Sequence, residues 1–259
     1  MTELSATAGK AFDYLGNAFA WRLRKPFGWI ASLPFRSAFR PRQPVELAPE
    51  IAHPHWMDYL ETHFNKPGMR VLEIGARNVT WARFRERFSD ADYVGFDVLD
   101  GPNVDVVGDA HRLTSYFADS EPFDLIFSSA VFEHLYMPWI VAQEIQKLLK
   151  VGGHVFVETH FSFSAHERPW NFFQFSDMGL RALFNPALGF DLVAKGMSTP
   201  MVGYFARGSA PYLRFDPVTD LFCHSQILCR KRCDVDGFDW TRLEADDLVE
   251  GTRYPAPAA

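Results

Sequence analysis

The sequence predicts an α/β protein with a doubly wound, largely parallel sheet, and three observations carry that reading. Short apolar runs alternate with amphipathic stretches from residue 46 to residue 231, the order that builds βαβ units. Runs such as FDLIF are apolar at nearly every position, as expected of strands covered on both faces. Glycine or aspartate follows several of these runs, at Gly75, Asp97 and Asp109, where such a sheet presents its ligand site.

Each element has a local reason. IAHPHWMDYLETHF (51–64) interleaves apolar and polar residues as a helix does, and MRVLEIG (69–75) is a short buried strand ending in Gly75. TWARFRERF (80–88) reads as a helix capped by Thr80. DYVGFDV (92–98), VDVVGDA (104–110) and the start of FDLIFSSAVF (123–132) are strands. PWIVAQEIQKLLK (138–150) is a helix with Pro138 in its first turn and Gly152-Gly153 ending it. HVFVETH (154–160) is a strand, SDMGLRALFN (176–185) a helix capped by Ser176, and GFDLVAKGM (189–197) and LFCHSQILCRK (221–231) the last strands.

Composition bounds the function. A chain of 259 residues with 47% apolar and 22% charged residues is not wholly disordered. No apolar stretch reaches the roughly 18 residues of a membrane span. The start lacks the basic region and apolar core of a secretory signal. Three cysteines, an odd number near one end, do not make a disulfide framework. The expectation is a cytoplasmic protein.

The charge is unevenly spread. Residues 1–45 carry seven bases and two acids, while the rest is strongly acidic, so the expected division is a basic aromatic arm (1–45) and a main domain (46–259). Phe12, Leu15, Phe19 and Leu23 recur at helical spacing before Arg22, Arg24 and Lys25, and Pro26 stops the helix. Such an arm packs across its own domain as a lid or serves as a homodimer element; the second reading is a peripheral contact with the inner membrane surface. The acidic main domain offers no basic groove for nucleic acid.

The loop after the first strand, EIGARNVT (73–80), holds one glycine where a dinucleotide site wants three, and Arg77 and Val79 obstruct close approach of a diphosphate. A nicotinamide dehydrogenase is therefore disfavoured. Asp97, 22 residues after Gly75, stands where an acid accepts hydrogen bonds from ribose hydroxyls. Asp109 and the small Ala110 are placed to flank a purine.

VLEIG, GFD, VGDA, FDLIFSSAVFEHL and LLKVGGHVFVETH, in this order, resemble the class I S-adenosylmethionine-dependent methyltransferases over residues 69–160, and more loosely to 231. That resemblance implies a Rossmann-like seven-stranded sheet with an antiparallel last strand, supplied by LFCHSQILCRK. It also implies S-adenosylmethionine as cofactor. Glu73 and Gly75 then lie around its methionine end, Asp97 holds the ribose, Asp109 and Ala110 border the adenine, and Ser128 and Ser129 stand beside the methionine moiety. The sequence departs from the family at Arg77 and Asn78, which replace glycines. Arg77 either pairs with the cofactor carboxylate or points outward.

A hydroxyl or amine acceptor must lose a proton, for which histidine is the usual base. The candidates are His160, first because it directly follows a strand, then His166 and His134. Glu133-His134 resembles a pair common in the family that shapes the pocket and caps the next helix. THFSFSAHERPWNFFQFS (159–176) is an aromatic loop that suits a lid or a substrate platform, with Arg168, Trp170 and Phe173 as acceptor contacts. Its P-W-x-F-F stretch is similar to small bacterial methyltransferases of sugar and polysaccharide biosynthesis clusters. The resemblance favours O-methylation of a sugar, glycan or other small-metabolite hydroxyl; the alternatives are a non-catalytic cofactor-binding module and N-methylation of a small molecule. Cys223, His224, Cys229 and Cys233 have no recognisable zinc spacing, and no metal is expected.

Overall fold

The computed structural model describes residues 45–79 and 82–248. The basic arm, except its last residue, and the cap assigned to Thr80 lie outside the described residues. Seven strands form one sheet among these residues: β1 (Arg70–Ile74), β2 (Asp92–Asp97), β3 (Val106–Val107), β4 (Phe123–Ser129), β5 (Leu149–His160), β6 (Phe190–Tyr204) and β7 (Pro217–Lys231). Their order is β3-β2-β1-β4-β5-β7-β6. β1 pairs in parallel with β2 and β4, β2 with β3, and β4 with β5. β7 runs antiparallel to β5, which sets His160 opposite His224. Strand order reverses at β1 and β4, so their carboxyl ends flank the crevice where this architecture binds ligands.

Alternation along the strands fills two apolar layers. Leu72, Ile74, Ile126, Val155, Val157, Ile227 and Cys229 face one layer. There α3 (Pro138–Leu148) contributes Val141, Ala142 and Ile145, and α4 (Asp177–Leu183) contributes Leu180 and Leu183. The short α2 (Leu113–Tyr116) adds Leu113 to the same layer. Val71, Leu125, Phe127, Phe156 and Leu228 face the other layer, covered by Trp56, Leu60 and Phe64 of α1 (Trp56–Phe64). Ser176 caps α4 as expected, accepting from the Gly179 amide at 3.0 Å. Residues 202–221 belong to a separate compact unit, in which Phe205 and Phe215 are tied backbone to backbone. No helix among the described residues is long and apolar enough to cross a membrane.

Three elements differ from expectation. Of the helix expected over 80–88, the described residues 82–88 form only a 3-10 turn at Phe84–Phe88, entered through a left-handed Arg83. Its arginines are drawn away to distant acceptors, Arg85 to Asn103 and Asp105, and Arg87 to Asp58 and Glu61. These tertiary bonds override a helical period that was real but short. The strand expected at 104–110 shrinks to Val106–Val107, because Asp109 turns to cap the 3-10 turn Ala110–Arg112. Gly152-Gly153 does not end α3 but lies inside β5, where the pairing with β4 shifts register. The helix end is closed instead by Lys231, whose buried ammonium donates to the carbonyls of Gln146 (2.6 Å) and Leu149 (2.7 Å), a cation at the negative helix terminus.

Candidate active site

The tips of β1, β2 and β3 form an acidic half. Gly75 turns at φ +91, and a Cβ there would stand 2.2 Å from Val131 Cγ2, so both backbone and space demand glycine. Glu73 is buried, and the Tyr93 hydroxyl and the Asn103 amide both donate to its Oε2. Burial pushes its carboxyl up to about 8. Asp97 receives the Arg77 amide at 3.1 Å on Oδ2 and the Leu99 amide at 2.9 Å on Oδ1. The Arg77 side chain is about one-third exposed. It folds back with Nε 3.6 Å from Asp97 Oδ1, and its stem packs on Gly101. Asn78 lines an open cleft with Arg83, Arg85 and Asn103. Asp109 Oδ1 accepts from the amide and Nδ1 of His111, which leaves its other oxygen uncommitted. Burial opposes the Asp109 charge, but the bonds from His111 outweigh it and hold the carboxyl below its usual range. Ala110 is buried beside it.

The tips of β4, β5 and β7 form a histidine half. Ser128 turns its hydroxyl to the Ile74 carbonyl, 2.9 Å away, and Ser129 donates to Glu158 at 3.2 Å. Both hydroxyls are thereby tied into the sheet edge. Glu133 does not cap α3, whose N-cap Met137 has no side-chain bond. Its side chain is fully buried between Thr159, which donates to Oε2 at 2.6 Å, and His160, whose Nδ1 lies 2.7 Å from Oε1. Burial opposes the Glu133 charge, yet His160 and Thr159 together hold its carboxyl below the ordinary range. His134 and His166 stand edge-on to one another at 4.9 Å, and His166 meets His160 edge-on at 5.3 Å. All three histidines singled out in the sequence thus meet around one carboxylate.

The aromatic loop is stitched onto that carboxylate's own backbone. The amides of Phe172 and Phe173 donate to the Glu133 carbonyl, and that of Phe175 to the His160 carbonyl. Phe163 stacks on His160, with ring centroids 4.4 Å apart. Phe173 packs against the apolar layer of α3 and α4, whereas Arg168 and Trp170 are exposed. Of the three expected acceptor contacts, Phe173 therefore supports the loop, and the other two remain free to touch a ligand.

A model of the family described as "Methyltransferase domain" matches residues 49–187. The chain belongs to that family. No curated protein matches this methyltransferase. Among solved structures it is similar to a SAM-dependent methyltransferase from Archaeoglobus fulgidus, at 14% identity and a TM-score of 0.48 over 70% of this chain and 97% of that one. It is also similar to the Burkholderia thailandensis 1,6-didemethyltoxoflavin-N1-methyltransferase, solved with 1,6-didemethyltoxoflavin and S-adenosylhomocysteine bound. That match has 18% identity and a TM-score of 0.47 over 68% of this chain and 76% of that one.

The residues present fit the nucleoside cofactor that the fold family implies. An acid ends β2, a second acid with a free oxygen follows β3, and the exposed apolar Val98 and Leu99 stand directly after Asp97. Arg77 Nε and Asn78 Oδ1 are buried without hydrogen-bond partners, the condition in which a loop awaiting a polar ligand is left.

Sequence reasoning missed His53 and Glu158 and dismissed His224. His53 Nδ1 lies 3.0 Å from Glu158 Oε2, and the bond to Glu158 holds this imidazole above its usual pKa. His224 stacks on His53 at 3.9 Å, and burial pushes it down to about 4. Cys223 and His224 do come together with His160, while Cys229 is buried in the core and Cys233 exposed. No spacing signals these contacts; they follow from the β5–β7 register and a 105-residue separation.

Proposed function

We propose that this methyltransferase moves the methyl group of S-adenosylmethionine to a hydroxyl of a sugar, glycan or other small metabolite. The observation that carries the reading is the His160–Glu133 pair on the same sheet edge as Asp97 and Asp109. When bound, S-adenosylmethionine supplies an electrophilic methyl group on a sulfonium. Asp97 would accept from the ribose hydroxyls and the free oxygen of Asp109 from the adenine amine, fixing the nucleoside at the β2 and β3 tips. His160 is the residue placed to take the acceptor's proton, and Glu133, 2.7 Å from Nδ1, compensates the charge the ring then carries. Arg168 and Trp170 would hold an anionic or sugar-like acceptor. Positioning of the acceptor would supply much of the acceleration.

The test is calorimetric titration of the full chain with S-adenosylhomocysteine, with NAD as control. It is followed by methyl transfer from labelled S-adenosylmethionine to a panel of nucleotide sugars and glycans. Micromolar binding of the first ligand alone, followed by labelled product, is expected. Binding without turnover on any hydroxyl acceptor would overturn the enzymatic reading in favour of a binding module, which the Arg77–Asp97 contact favours. The basic arm would pack across its domain as a lid, serve as a dimer element or touch a membrane surface, and liposome binding by the intact chain compared with a chain lacking residues 1–45 tests the last of these.

A further inference from the structure

Five of the nine histidines, His53, His134, His160, His166 and His224, crowd one sheet edge, more than one proton acceptor requires. We infer that Glu133, His160 and His166, with His134 beside them, form a binding site for a first-row divalent transition ion.

One ligand atom from each of Glu133, His160 and His166 lies within 4.8 Å of the others. Glu133 Oε1 and His160 Nδ1 are both buried and lack an aligned hydrogen bond, although only 2.7 Å separates them. An ion about 2.0–2.2 Å from each would hold two such atoms about 3 Å apart, close to the spacing already present. The remaining atoms are oriented as ligation requires. Thr159 occupies Glu133 Oε2, so Oε1 is the oxygen turned to the histidines. His134 Nδ1 lies 3.0 Å from the Trp170 carbonyl and His166 Nδ1 3.0 Å from the Ser164 carbonyl. Donation to these carbonyls places the proton on Nδ1 and the lone pair on Nε2, the outer-shell arrangement typical of metal-bound histidine. His134 Nε2 is 4.0 Å from Glu133 Oε1. A donor set of imidazoles and one carboxylate suits zinc and its spectroscopic substitute cobalt rather than calcium or magnesium. The ion would occupy the same Nδ1–Oε1 pair that serves the proposed base, so ligation and proton transfer by His160 are alternative states of one pair, and ion binding is read independently of turnover.

The test uses the full chain, stripped with chelator and titrated with Zn2+ by calorimetry and with Co2+ by visible absorption. One ion per chain at micromolar affinity or tighter is expected, with a Co2+ spectrum of nitrogen–oxygen ligation. His166→Ala and Glu133→Gln should each weaken binding at least tenfold, and His224→Ala should change it less than threefold. Circular dichroism and melting of the ion-free variants separate lost ligation from lost fold, and His166, being partly exposed, is the variant that keeps the fold. Absence of binding at 1:1 stoichiometry would overturn the inference. So would binding that survives His166→Ala but is lost in His224→Ala, because the ion would then belong to the neighbouring His160–Cys223–His224 group.

Discussion

The two halves of the sheet edge are built on opposite principles. At the β1–β3 tips, Asp97 is held by two backbone amides and by Arg77, and Asp109 is held by His111. At the β4–β5 tips, Glu133 and His160 are buried in contact, and neither facing atom makes an aligned hydrogen bond. The first half is preorganised for a ligand of fixed shape. The second buries a carboxylate against an imidazole, the arrangement of a site where a proton or an ion is handled.

Substitutions on either side should separate binding from turnover. His160→Ala is expected to lower turnover by roughly 10²–10⁴-fold, with S-adenosylhomocysteine affinity changed less than threefold; equal losses in both would erase the contrast between the halves. Asp97→Ala should do the reverse. It removes charge-assisted bonds worth about 1.5–3 kcal/mol each, a tenfold or greater loss of affinity by calorimetry, with a smaller effect on turnover at saturating cofactor.

Two further variants act on the framework. Lys231→Met leaves the Gln146 and Leu149 carbonyls unpartnered and should cost about 1–3 kcal/mol in denaturant unfolding, without moving the kinetic constants of either half. Glu73 acts on the pH dependence of stability. Its folded pKa, about 8, lies above the ordinary 4.5, so the folded chain binds the extra proton between these values. The stability it contributes is complete below 4.5 and is lost as pH rises through 8. Glu73→Gln should flatten that decline by about 1.4 kcal/mol or more, read as the difference in melting temperature between pH 5 and pH 8. A parallel fall in both proteins would clear Glu73 of the effect.

Much of the acidic half was legible in the sequence, and little of the histidine half's assembly. Gly75, Asp97 and Asp109 stand one step past runs whose apolar pattern marks them as strands, so their position at the sheet edge follows from local order. The position of Arg77 was not legible in this way, since it depends on Gly101 and Asp97 arriving from another strand's turn. His134, His160 and His166 were visible as separate candidates. Their meeting around Glu133 was not, because it depends on the Phe172 and Phe173 amides closing a loop onto the Glu133 carbonyl.

What the sequence determined by itself is the alternation of strands with helices, the two apolar layers and the acids at the strand tips. These follow from periods of two and 3.6 residues and from local capping, which act within a few positions. Only the tertiary structure decided that Arg83–Phe88 would break its helical period, that His224 would face His160 across β5 and β7, and that His53 would reach Glu158. Those outcomes rest on hydrogen bonds and packing between segments tens of residues apart. Their geometry is set by strand register, to which spacing along the chain carries no guide.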